Sequence, residues 1–134
     1  MKSKTVLTLQ DVKLIAHAAE AEALANGWAV SIAITDDGGH LLWLQRLDGA
    51  SPISAQIAPA KAHTAALGRR ESKVYEDMIN QGRISFLSVP GLSGLLEGGV
   101  PIMVDGQCVG AVGVSGVKSS EDAQIALAGI AALG

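Results

Sequence analysis

Apolar residues recur at helical spacing at Val12, Ile15, Ala16, Ala19 and Ala23. Thr8 reads as the N-cap of this first helix, with Asp11 adding negative charge to its first turn. Asn26-Gly27 is its stop signal. From Trp28 to Thr35 the period becomes two. Val30, Ile32 and Ile34 alternate with Ser31, Ala33 and Thr35, which predicts a strand. Asp36-Asp37-Gly38-Gly39 reads as a hairpin turn, and His40 to Leu47 as the returning strand. After a break at Asp48 to Pro52, helical spacing resumes through Ile57, Lys61, Ala62, Thr64, Ala65 and Leu67, and ends at Gly68. Pro59 lacks an N–H and suits a first turn or a kink. Ser72 reads as the cap of a helix carrying Val74, Tyr75, Met78 and Ile79. Residues 83–99 are irregular, broken by Pro90-Gly91, Gly94 and Gly98-Gly99; so long a loop is often functional. Pro101 to Val104 and Cys108 to Ser115 flank Asp105-Gly106, a second hairpin. Ser119 with Asp122 resembles a capping box for a last helix through Ile125, Leu127, Ala128 and Ile130.

The predicted order is helix, hairpin, two helices, loop, hairpin, helix. Two hairpins imply a mainly antiparallel sheet covered by helices, an α+β arrangement. The parallel βαβ units of a doubly wound nucleotide fold are missing. With 134 residues, the chain is expected to form one domain, 1–134. Alanine (21) and glycine (16) are abundant, while Phe, Tyr and Trp total four. Small side chains therefore let helices and sheet approach closely, and the 49% apolar content suggests surface buried between subunits of a homo-oligomer.

Ten basic against thirteen acidic residues give a net charge of −3. That is no footprint for nucleic acid or an anionic membrane. No apolar run reaches the roughly 18–20 residues of a membrane span. The N-terminus is not an apolar signal core, so a soluble cytoplasmic protein is expected. One cysteine, Cys108, leaves no internal disulfide and no multi-cysteine metal site; it reads as a small buried hydrophobe.

His17, His40 and His63 form no HxxH or HxxxH pair. His17 reads as a partly buried helix histidine or, functionally, as a ligand for haem iron, which accepts a neutral imidazole. His63 is a candidate for acid–base work or iron ligation. Lys61 and Thr64 share a helical face. Lys61 either pairs with a carboxylate, for which Asp36, Asp37 and Asp48 are candidates, or acts as an anion anchor or acid–base group. Arg46 could hold a carboxylate through its planar fork or pair with Asp48. Gly110-x-x-Gly113-x-x-Gly116 is neither a Rossmann nor a Walker pattern; it implies close approach of backbone to a helix or a ligand. Ser115, Gly116 and the start of the last helix could together present N–H groups to an anion.

Four runs in order resemble one family. They are Ile34-Thr35-Asp36-Asp37-Gly38-Gly39-His40-Leu41 with Arg46-Leu47-Asp48-Gly49-Ala50; Ala60-Lys61-Ala62-His63-Thr64-Ala65; Glu97-Gly98-Gly99-Val100-Pro101-Ile102; and Gly110-Ala111-Val112-Gly113-Val114-Ser115-Gly116 with Glu121-Asp122 and Ala126-Leu127-Ala128-Gly129. From about residue 7 to the end the chain is similar to the GlcG/HbpS-like, haem-degrading family, which includes the C-terminal domain of PduO-type proteins. The resemblance implies a profilin-like fold, a central antiparallel five-stranded sheet flanked by helices, in a homo-oligomer with a small-molecule pocket. Asp36, Arg46, Asp48, Lys61, Thr64, Gly98, Gly99, Gly113 and Gly116 match recurring family positions. Gly68 departs from the bulkier residue expected after the Lys61 helix.

Three functions follow. The first is binding of haem or a related tetrapyrrole, with assistance in its degradation; His17 or His63 would ligate iron and Arg46 or Lys61 would hold propionates. The second is a cofactor-independent isomerase, hydratase or lyase acting on a small organic acid or carbonyl metabolite. There Lys61 would bind or polarise substrate, and Asp36, Asp48 or His63 would move protons. The third is a non-catalytic assembly or sensor module. Thr64, Gly98, Gly99, Gly113, Ser115 and Gly116 would line the ligand site in the first two.

Overall fold

The computed structural model describes all 134 residues. The elements run α1 (Leu9–Asn26), β1 (Ser31–Asp36), β2 (Leu41–Arg46), α2 (Ser54–Gly68), α3 (Lys73–Asn80), a 3-10 turn (Ile84–Ser88), β3 (Gly99–Val104), β4 (Gln107–Ser115) and α4 (Ser119–Ala131). The sheet is antiparallel throughout, in the order β2-β1-β4-β3. It has four strands, not the five the family resemblance implied. The two hairpins supply all four, and no other segment is extended for long enough to add a fifth.

The α1 cap forms as the sequence suggested. Thr8 Oγ1 accepts from Asp11 N at 3.1 Å while Asp11 Oδ2 accepts from Thr8 N at 2.8 Å. Gly27 closes the helix at φ 70°. Two other caps differ. Ser72 Oγ turns away from α3 and accepts from Gly99 N at 2.8 Å, tying that helix to β3. Lys118, not Ser119, is the N-cap of α4, and its N–H donates to Glu121 Oε1 at 3.2 Å. Asp122 is thereby free for another partner.

β1 and most of β4 are buried on both faces, because helices cover both sides of the sheet. Ile32, Ile34, Val112 and Val114 pack with Ile15, Ala19, Ile125 and Ala126 of α1 and α4. Five isoleucines are fully buried, each worth about 1.5–3 kcal/mol. On the other face Ala33 and Ala111 meet Ala58, Ala62, Ala65 and Ala66 of α2. This all-alanine contact is what the glycine and alanine content makes possible. At Gly113 a Cβ would strike the Ala58 carbonyl oxygen, so α2 lies directly on the β4 backbone. Pro101 is tolerated because β3 is an edge strand. Gly68 is explained by Tyr75, whose hydroxyl occupies the space a Cβ would need.

Candidate functional site

Lys61 lies inside the molecule, 2% exposed. Its Nζ donates to Val114 O at 2.9 Å and to Asp122 Oδ2 at 3.1 Å. Asp122, also 2% exposed, takes Val117 N–H on its other oxygen at 3.2 Å. The partner of Lys61 is therefore Asp122, and not Asp36, Asp37 or Asp48. Burial pushes the Asp122 carboxyl above its ordinary range, outweighing the downward pull of the Lys61 ammonium and the Val117 N–H. The pair bolts α2 to α4 past β4. It also takes the Val117 N–H, just before α4, in the segment that was expected to face an anion.

The glycines around this pair are close-approach positions. A Cβ at Gly98 would stand 2.7 Å from both Lys61 Nζ and Val114 O, and one at Gly99 would meet the Lys61 carbonyl oxygen. Gly116, at φ 146°, faces Ala29 O. Ser115 is buried in β4 opposite Ser31. Thr64 Oγ1 donates to Ser93 O at 2.7 Å and so anchors the long loop to α2.

The remaining candidates fall at opposite ends of β2. Asp48 and Arg46 are exposed at one end, where Arg46 Nε donates to Ala50 O at 3.2 Å. Asp36 lies at the other, about 20 Å away at the usual rise per strand residue. There Asp36 Oδ1 accepts from Gly38 N and His40 N, each at 2.9 Å, and fixes the turn. Gly39, at φ 78°, then presents its carbonyl to His63 Nδ1 at 3.0 Å. A Cβ at Gly39 would stand 2.5 Å from that nitrogen. Asp36, Gly39 and His63 thus form one connected unit, whereas Lys61, Asp36 and Asp48 share no cavity. A carbonyl can only accept, so Nδ1 is the donor, and in the neutral ring the lone pair then lies on Nε2. His63 Nε2 makes no hydrogen bond within the chain.

His17 is exposed on α1, on the far side of the sheet from His63. It is not the partly buried residue expected. No three metal-ligating side chains cluster. A cavity of about 290 Å³ lies between α3 and the loop, lined by Ile79, Leu87, Leu92, Leu95 and Leu96 with Glu76 and Asn80 at its polar edge. Sequence reasoning placed Ile79 on a helix but assigned none of these residues to a site; the irregularity of 83–99 was the only signal. No helix is long and apolar enough to cross a membrane.

Residues 7–131 match the family described as haem degrading protein HbpS-like, and the chain belongs to that family. Among its relatives, Protein GlcG of Escherichia coli K12 is 56% identical over 115 residues, 86% of this chain and 85% of that protein. HbpS of Streptomyces reticuli, solved as a double mutant, superposes with a TM-score of 0.90 at 34% identity, over 100% of this chain and 91% of that one. PduOC, solved as a haem complex, gives a TM-score of 0.84 at 27% identity over 96% and 95% of the two chains.

Proposed function

We propose that this protein binds haem or a related tetrapyrrole in a homo-oligomeric assembly, with His63 as the iron ligand. The observation that carries this reading is the half-used imidazole: Nδ1 is pinned by the Gly39 carbonyl and Nε2 is free. Ligating histidines characteristically give their second nitrogen to a carbonyl or carboxylate, which fixes tautomer and ring orientation. Haem, when bound, supplies an iron that takes a neutral imidazole nitrogen. The Asp36 turn does the positioning, holding the acceptor carbonyl before any ligand arrives. Leu67, one turn on from His63, and Leu41, just after the turn, are 48% and 52% exposed and offer apolar surface on this side of the sheet. The relationship to HbpS, and to PduOC with its haem, supports the ligand class. His17 lies across the sheet, so the two imidazoles of one chain do not meet at one iron.

A hemin titration read by absorbance, with bovine albumin as control, tests the reading. A saturable Soret shift abolished in His63→Ala and retained in His17→Ala is expected. Loss in His17→Ala alone moves the ligand to α1. An albumin-like response in the wild type overturns the proposal.

A further inference from the structure

A second cavity lies at the same end of the sheet as the His63 turn. It measures about 390 Å³ and is bounded by Lys2 and Lys4 of the N-terminal segment, Arg69 at the end of α2, and Met103, Gly106, Gln107 and Cys108 of the β3–β4 hairpin. Of the five cavities in the molecule it alone is lined by basic residues with no carboxylate among them. The chain as a whole is acidic, at −3. Lys4 pairs with Asp37 at 2.7 Å, while Lys2 and Arg69 form no ion pair. Lys2 and Arg69 are both exposed, and an anion entering between them would meet two cations that no carboxylate of the cavity compensates.

Arg69 adds an independent indication. It follows Gly68 at the C-terminus of α2 and adopts φ 56°. Glycine is the favoured residue at that left-handed position, and an arginine there is held against its backbone preference. Its guanidinium makes no hydrogen bond or ion pair with the rest of the chain. An arginine fork and an amide such as Gln107 are donors suited to a carboxylate.

We infer that this cavity is a carboxylate-binding site, with Arg69 and Lys2 as its charged anchors and Gln107 as a neutral donor. Two free cations match a dicarboxylate. The carboxylates belong either to a free organic acid or to the propionates of a tetrapyrrole; the second source rests on the function proposed above. Succinate is the probe for the first. Calorimetric titration of the full chain is expected to saturate, and Arg69→Gly to weaken succinate binding by about tenfold, the loss of one charge-assisted contact. The same substitution is expected to raise the melting temperature of the ligand-free protein, because it relieves the left-handed backbone. A purely structural role for Arg69 would not give that opposition. For the second source, hemin is compared with hemin dimethyl ester. Weakened hemin binding in Arg69→Gly, with ester binding unchanged, assigns the site to propionates. If hemin fails to bind at all, the succinate arm still decides the site. Unchanged affinities for both succinate and hemin in Arg69→Gly overturn it.

Discussion

Lys61 looks from its sequence surroundings like a reactive lysine, flanked by alanines on a helix. Its burial against Asp122 makes it a structural group. Removing one member of a buried pair costs about 3–5 kcal/mol, because the other charge is left without compensation. Lys61→Met is therefore expected to destabilise strongly at pH 7, as measured by denaturant unfolding. The penalty shrinks as pH falls. Asp122 binds a proton more readily folded than unfolded, so its contribution favours the fold at low pH and is lost as pH rises through the raised folded value. Without Lys61 that tendency strengthens. The double variant Lys61→Met/Asp122→Leu recovers most of the loss, since well-packed apolar side chains replace buried pairs at little cost. An Lys61→Met penalty that grows on acidification contradicts this account. Lys61 was legible as a special residue, but its partner was not. Asp122 lies 61 positions away in sequence, on the helix beyond β4.

At the scale of elements, the local signals were read well where a single turn of chain decides the outcome. Thr8, Asp11 and Gly27 bracket α1, and Asp105-Gly106, both at positive φ, turn the second hairpin. Ser72 stands at the N-cap of α3 but its hydroxyl serves Gly99, a tertiary partner, and the α4 cap falls on Lys118, one residue before Ser119. β1 begins at Ser31 rather than Trp28, and each hairpin carries a bulge. Ile34 pairs with Trp43 but Thr35 with Leu41, and Ile102 with Gly110 but Met103 with Cys108, so Leu42 and Val109 are extra residues. The β1–β2 turn carries the element-scale prediction. Gly39→Ala adds a Cβ 2.5 Å from His63 Nδ1 at a left-handed position. It is expected to cost about 1–2 kcal/mol in stability and to weaken hemin binding through misplacement of His63. Retention of full hemin affinity would separate the turn from the ligand site.

The whole molecule leaves apolar surface uncovered. Leu14, His17, Ala21 and Leu24 share the outward side of α1, with Leu14 and Leu24 45% and 65% exposed, and Leu127 on α4 is 52% exposed. A stripe at three-and-four spacing is the pattern of a helix that packs against another surface. Sedimentation is therefore expected to give a mass that is a multiple of 13.7 kDa, and Leu14→Lys/Leu24→Lys to lower it. A wild-type monomer at micromolar concentration would refute self-assembly through this face.

The sequence by itself determined the element types, the two hairpins, the antiparallel sheet and the reliance on small side chains. It also carried the family, through four motifs spread along the chain. These features depend on spacing and on backbone preferences a few residues long. The tertiary structure alone decided that α2 rests on β4 through alanine and glycine, that Lys61 belongs to Asp122, and that Asp36 reaches His63 through the Gly39 carbonyl. It alone gathered Lys2, Arg69 and Gln107 around one cavity. Such pairings depend on which helix covers which face of the sheet, a choice set by packing across the whole core, which no local pattern encodes.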